Sequence, residues 1–504
     1  AERVRGSMND TTDSATNERG TTTRISTGIP GLDELLSGGF IPERSYLVRG
    51  RPGTGKTILG LHYLTTGVAN GESALFINLE EEVEDIKQNA TEFGFDLTGV
   101  DFLDLSPKSD FFTDDRGYDI FEPSQVERDP LIETISERVT ELQPDRVFVD
   151  PITQFRYLSA DEYQFRKQAL SFMRLLSELG ATVMFTTQAT DSKPDDDLQF
   201  MSDGTIELGD SAMGSTIDVP KFRGSSVQDG HHAMDITDAG IVVYPELHPG
   251  SHDRQFESEA ISSGVPELDE MLNGGIERGT VTVISGPTGA GKTTLSTHFM
   301  KEAAERGERS LMYLFEESAA TLRTRSEAIG VPVRDMEDRG TLAIEELEPL
   351  DMSPQQFAQE VRHEVENGGG DIVMIDGIAG YQIAIQGDRQ KLTRKLHAVC
   401  RYLTNMGVTV ILVDESSTLM EEFRATDSGV SYLADNILFL RHMEYGGELR
   451  KVVGVLKKRT SDFQRSLREL EITESGLKVG DPLKELRGIL SGTPEWTDET
   501  DREN

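Results

Sequence analysis

Short apolar runs alternate along this chain with longer stretches whose apolar residues recur at helical spacing. Tyr46-Leu47-Val48-Arg49, Ala74 to Leu79, Arg146 to Asp150 and Thr182 to Thr186 have the length and β-branched or aromatic content of buried strands. Val281 to Ile284, Leu311 to Phe315, Ile372 to Asp376 and Val408 to Val413 follow the same sequence of events further on. Phe165 to Leu179 and Lys391 to Leu403 carry apolar residues at the helical period. Continuous apolar strands alternating with helices predict an α/β fold, a mostly parallel sheet flanked by helices.

The pattern occurs twice. Ser26-Thr27-Gly28-Ile29-Pro30-Gly31-Leu32-Asp33-Glu34 recurs as Ser262-Ser263-Gly264-Val265-Pro266-Glu267-Leu268-Asp269-Glu270 (262 − 26 = 236). Gly38-Gly39 and Gly274-Gly275 share that spacing, as do Lys56 and Lys292, and Glu80-Glu81 and Glu316-Glu317. An ungapped match of this length reads as duplication. The expected organisation is a disordered tail over 1–22, in which Ala1 to Ser7 ahead of Met8 reads as an expression remnant; a first domain over 23–245; a Pro-, Gly- and His-containing linker over 246–259; a second domain over 260–487; and an acidic tail over 488–504.

Charge narrows the partners. The 504 residues carry a formal charge of −39, which repels phosphate backbones and argues against general nucleic-acid or anionic-membrane binding. Such an excess of carboxylates is a pattern seen in halophile cytoplasm, where salt screens self-repulsion, and also fits an ordinary acidic soluble protein. The single cysteine, Cys400, excludes an internal disulfide and is expected to be a buried helix residue. No apolar run approaches the ~20 residues of a membrane span, and no secretory leader is evident, so a cytoplasmic location is expected.

The chemistry sits in a few clusters. Gly50-Arg51-Pro52-Gly53-Thr54-Gly55-Lys56-Thr57 and Gly286-Pro287-Thr288-Gly289-Ala290-Gly291-Lys292-Thr293 both fit G-x-x-x-x-G-K-[ST]. In this P-loop, backbone N–H groups and a helix N-terminus cradle polyphosphate, and the next helix residues, Ile58 and Thr294, complete the wall. Lys56 and Lys292 would reach the β- and γ-phosphates of ATP. Thr57 and Thr293 would bind Mg²⁺ together with the strand-ending Asp150 and Asp376. Glu80-Glu81 and Glu316-Glu317 end the strand after each P-loop helix, where a carboxylate base for the attacking water is needed. A basic pair closes each repeat, Lys221-Phe222-Arg223 and Lys457-Lys458-Arg459, again 236 apart (457 − 221). Such cations either stabilise transition-state charge or blunt a sheet edge. The expected fold is two tandem P-loop NTPase domains, whose set of motifs resembles the RecA type.

Together the motifs resemble the KaiC family of the RecA/DnaB superfamily, the double-domain ATPases of the cyanobacterial clock and their archaeal relatives, from about Ile25 to Pro494. With the acidic composition, an archaeal, halophilic member is expected. The resemblance implies homohexameric rings with ATP between subunits, so that Lys221, Arg223, Lys457 and Arg459 would act on a neighbour's nucleotide. Lys451 falls where the family places a basic contact in the second ring. The family's first ring is an ATPase, and its second transfers phosphate to its own Ser and Thr. Thr426-Asp427-Ser428-Gly429-Val430-Ser431-Tyr432 looks like the phosphorylated segment, with Ser431 the principal acceptor and Thr426 retained. Tyr432 stands where the clock proteins have Thr, and Thr460 follows Arg459 where Gly224 follows Arg223. The function expected is a ring ATPase with serine autokinase activity in signalling or timing, with regulatory partners unspecified. Two rivals share the core: a DNA recombinase or helicase, which needs basic loops that Gln154 to Gln164 and Tyr381 to Gln390 do not strongly supply, and a non-hydrolysing ATP switch.

Overall fold

The computed structural model describes residues 23–109, 130–158, 161–188, 195–211, 214–348, 351–384, 389–415, 430–487 and 495–496. The chain divides into two compact units, with the division between Val243 and Tyr244.

Each unit is built on a nine-stranded sheet. In the first the order is Val100–Asp104, Ala74–Asn78, Arg146–Asp150, Thr182–Thr187, Ser45–Gly50, Gly204–Ser211, Gly214–Phe222, His232–Thr237 and Gly240–Tyr244. In the second it is Leu342–Glu346, Ser310–Leu314, Ile372–Asp376, Thr409–Glu415, Val281–Gly286, Asn436–Tyr445, Glu448–Lys458, Arg468–Thr473 and Gly476–Pro482. The first six strands of each order are parallel, and antiparallel pairing begins beyond them, as between Asn436–Tyr445 and Glu448–Lys458. The register repeats too: Ala74 faces Arg146 in one unit and Ser310 faces Ile372 in the other.

The strands read as unbroken apolar runs because both faces are covered. In the first unit the helix Lys56–Ala69 brings Leu59, Tyr63 and Leu64 against Phe76 and Phe148 on one face. On the other, Glu162–Glu178 packs Phe165, Phe172 and Leu176 over Val147, Val149 and Val183. The second unit repeats this with Leu295 and Phe299 on one face and Leu396, Cys400 and Leu403 on the other. Packing beside the strands is close enough to dictate side-chain size. A Cβ added at Gly60 would lie 2.1 Å from Phe148 Cζ.

The duplicated Ser-[Thr/Ser]-Gly motif is a turn held by one carboxylate. Asp33 accepts from Ser26 Oγ at 2.6 Å, from Thr27 N at 2.7 Å and from Thr27 Oγ1 at 2.7 Å. Asp269 does the same for Ser262 and Ser263. The motif thus fastens the chain ahead of the P-loop strand.

The stretch expected as a linker lies along the second unit. Leu247 enters its core, Lys395 pairs with Glu246 at 2.6 Å, Asn405 Nδ2 donates to the Pro249 carbonyl at 3.0 Å, and the His252 ring meets Tyr402 edge-on. The first region expected as a loop contains the helix Phe155–Leu158 and the start of Glu162–Glu178, and the second contains the end of Ile378–Ala384 and the start of Arg389–Asn405. Asp161 caps Glu162–Glu178 by accepting from Gln164 N at 2.8 Å. Among the described residues, no helix is long and apolar enough to cross a membrane.

Candidate nucleotide-binding site

Both P-loops connect the carboxyl end of a central strand to a 14-residue helix, Lys56–Ala69 or Lys292–Glu305. Gly55 and Gly291 hold the helix N-cap in the left-handed region, at φ 94° and 104°, where a side chain would be strained. The loop can therefore turn its N–H groups inward at the positive end of the helix, the geometry that binds phosphate. In the first unit a cavity of about 500 Å³ lies against Gly53, Lys56, Thr57, Glu80, Glu81 and Asp150. It also reaches Ile58.

Lys56 Nζ donates to the carbonyls of Gly50 at 3.0 Å and Arg51 at 2.9 Å, and Lys292 Nζ to that of Pro287 at 3.0 Å. Burial pushes both ammonium groups below their ordinary pKa. Asp150 and Glu80 oppose this at Lys56, and Glu415, Asp376 and Glu316 at Lys292.

Thr57 Oγ1 donates to Asp150 Oδ2 at 2.6 Å, and Thr293 Oγ1 to Asp376 Oδ2 at 2.7 Å. Burial pushes the Asp150 carboxyl up, against hydrogen bonds from Thr186 and Thr57. Asp376 is pushed up to about 6, by burial first and then by Glu317 and Glu316. A hydroxyl and a desolvated carboxylate in contact are a hard oxygen pair suited to Mg²⁺, which would relieve the charge penalty and take its remaining ligands from phosphate and water.

The glutamate pairs flank these acids. Glu81 is pushed up by burial, then by Asp150 and Glu80. Glu80 Oε2 accepts from Gln188 Nε2 at 3.0 Å. In the second unit Glu316 Oε1 accepts from Gly380 N at 3.3 Å, while Glu317 pairs with Arg325 at 2.9 Å. The structure thus brings together the P-loop, the strand-end Asp and the Glu pair in each unit.

The basic pairs lie elsewhere. Arg223 N donates to Asp203 O at 2.8 Å and Asp203 N to Ser45 O at 2.8 Å, which fixes that pair at the start of the P-loop strand. Arg459, Asp435 and Val281 repeat the chain of contacts. A six-residue strand separates this end from the P-loop by about 20 Å. Lys221 Nζ donates to the carbonyls of Gln199 at 2.5 Å and Ser202 at 2.6 Å, and Lys457 Nζ to that of Ala434 at 2.6 Å. Neither strand is a sheet edge.

Two residues of the basic groups differ from their neighbours in what they touch. Strand alternation turns Phe222 and Lys458 to the opposite face from their neighbours. Phe222 stacks on Tyr46 at 5.5 Å, and Lys458 is buried, donating to Gly275 O at 2.9 Å and pairing with Glu277 at 2.7 Å. Lys451 stands opposite His442, whose Nε2 is 3.4 Å from the Thr288 carbonyl, and so lies near its own P-loop. Ser431 sits at the far end with Lys457, whose Nζ is 3.3 Å from the Ser431 carbonyl. Thr426 lies outside the described residues.

Sequence reasoning missed the ends of the adjacent strands. Gln188 and Thr186 in the first unit, and Asp414 and Glu415 in the second, stand beside the P-loop strand. The rule that ligands bind at the carboxyl ends of central parallel strands would have found them.

Two parallel sheets, each ending its central strand in a P-loop that faces a strand-end Asp, define a tandem P-loop nucleotide-binding protein. The family model for the KaiC ATPase matches residues 25–248 and again residues 261–484. The chain belongs to the KaiC ATPase family. It is 30% identical over 488 residues to the circadian clock oscillator protein KaiC of Prochlorococcus marinus, covering 94% of this chain and 93% of that protein. Identity to KaiC of Acaryochloris marina is 28% over 487 residues, covering 94% and 91%. Identity to the circadian clock protein KaiC3 of Synechocystis is 28% over 500 residues, covering 95% and 96%.

Proposed function

We propose that this chain is a Mg²⁺-dependent ATP hydrolase that works as a homohexameric ring in signalling or timing, and that its second unit transfers phosphate to serine. The observation that carries the reading is duplicated: a P-loop threonine bonded to a strand-end aspartate at 2.6 and 2.7 Å, with a glutamate pair just beyond the end of the next strand in the chain.

When bound, Mg²⁺ would neutralise phosphate charge and fix the leaving group. Lys56 and Lys292 leave the loop carbonyls for the phosphates, which supply stronger acceptors. Glu80 or Glu81, and Glu316 or Glu317, take the proton of the attacking water as its oxygen bonds to the γ-phosphorus. The bond from that phosphorus to the β–γ bridging oxygen breaks, and ADP leaves with the electron pair. In the second unit the Ser431 hydroxyl replaces water as nucleophile.

Direction along the sheet supports a ring. Ser431, Lys457 and Arg459, like Lys221 and Arg223, stand about 20 Å from the P-loop of their own unit. They therefore reach a nucleotide only outside their own unit, and a closed ring gives every copy a neighbour.

ADP release by the full chain tests the reading. Lys56→Ala and Lys292→Ala should each remove one site's turnover, and the double variant nearly all of it. Unchanged turnover in the double variant would place the chemistry elsewhere. Mass in solution with and without Mg-ATP tests the ring.

A further inference from the structure

The two sites differ at one position that faces both P-loop and base. Arg49 pairs in register with Thr187, and Ser285, its counterpart 236 residues on, with Asp414. The next residues, Gln188 and Glu415, are therefore equivalent. In the first unit the Gln188 amide donates to Glu80 Oε2 at 3.0 Å. In the second, Glu415 has no amide proton to offer Glu316. It turns to the P-loop instead, where Thr288 Oγ1 donates to Glu415 Oε1. There it is the foremost charge acting on Lys292.

We propose that this position sets a division of labour. Gln188 is a positioning residue that holds the Glu80 carboxylate towards the attacking water, while Glu415 is an internal anion that competes with the nucleotide's phosphates for the second P-loop. The proposal rests on the reading of both P-loops as ATP sites. An amide is suited to the first role because it donates without charge and fixes the carboxylate plane. A carboxylate at the same place is suited to the second. It satisfies the P-loop hydroxyl and the lysine field until a polyphosphate with several charges displaces it. The first site is thereby preorganised for water, and the second requires a ligand able to evict its own anion.

Each site is measured with the other silenced in the full chain. With Lys292→Ala, Gln188→Leu should lower kcat about tenfold and change KM less than twofold, since the amide's hydrogen bond is to the base. Gln188→Asn, which keeps a donor on a shorter arm, should recover part of the loss. With Lys56→Ala, Glu415→Gln should bind a fluorescent ATP analogue with Mg²⁺ about tenfold more tightly and raise turnover at that site. Unchanged kcat in Gln188→Leu, a loss confined to KM, or unchanged or weaker binding in Glu415→Gln would overturn the proposal. A parent chain that binds and hydrolyses no ATP would overturn the underlying reading, and this inference with it.

Discussion

Replacing His62 with glutamine should flatten the acid sensitivity of the first unit. His62 lies on the P-loop helix, where its Nε2 accepts from Ile241 N at 2.9 Å and its ring meets Phe95 edge-on at 4.7 Å. Burial holds its pKa down at about 4, against 6.5 for the free side chain. The ring is neutral in the folded state, as an accepting nitrogen requires. In the unfolded chain it takes a proton below pH 6.5. Its contribution is therefore fully present above 6.5 and is lost as pH falls towards 4. The gap between 6.5 and about 4, at about 1.36 kcal/mol for each tenfold in proton affinity, gives ~3.4 kcal/mol, and discounting for the solvent that still reaches the ring leaves ~2 kcal/mol. A glutamine at this position would keep an acceptor for Ile241 and cannot titrate. Scanning calorimetry of the nucleotide-free protein between pH 7 and 4.5 should show the parent's first unit losing about 4–8 °C more in Tm than the variant. The carboxylates, common to both proteins, cancel in that comparison. Parallel loss of Tm in parent and variant would refute the reasoning. His298, at the same place in the second unit, accepts from Leu477 N at 3.3 Å and is also held at about 4, so His298→Gln should do the same there.

Incubation with γ-labelled ATP and Mg²⁺ should label the chain, and Ser431→Ala should remove most of the label. Mixing Ser431→Ala subunits with Lys292→Ala subunits should restore labelling of the latter, because the acceptor and its own P-loop lie at opposite ends of one sheet. Gly60→Ala should destabilise the first unit by ~1–3 kcal/mol in denaturant unfolding, since its Cβ would fall 2.1 Å from Phe148.

Where the determining interaction is local, the residues announced it. The two P-loops, their strands and the strand-ending Asp150 and Asp376 follow from short-range rules: glycines that permit left-handed turns, apolar runs that must be buried, an acid at the end of an apolar strand. The duplication, visible as a 236-residue spacing, predicted two like sheets, and the strand registers repeat between the units. What depends on which strands lie side by side was not legible. Gln188 is 108 residues from Glu80, and Glu415 is 127 from Thr288, so only the closed sheet makes them neighbours. Strand alternation separated Lys458 from Lys457 and Arg459, although all three look alike in sequence. The direction of the strands decided the rest, by placing Ser431 and the basic pairs at the end of the sheet away from the phosphate cradle. Composition and period tell a chain what elements to form. Only packing them parallel, with every P-loop at the same sheet end, determines which charges meet.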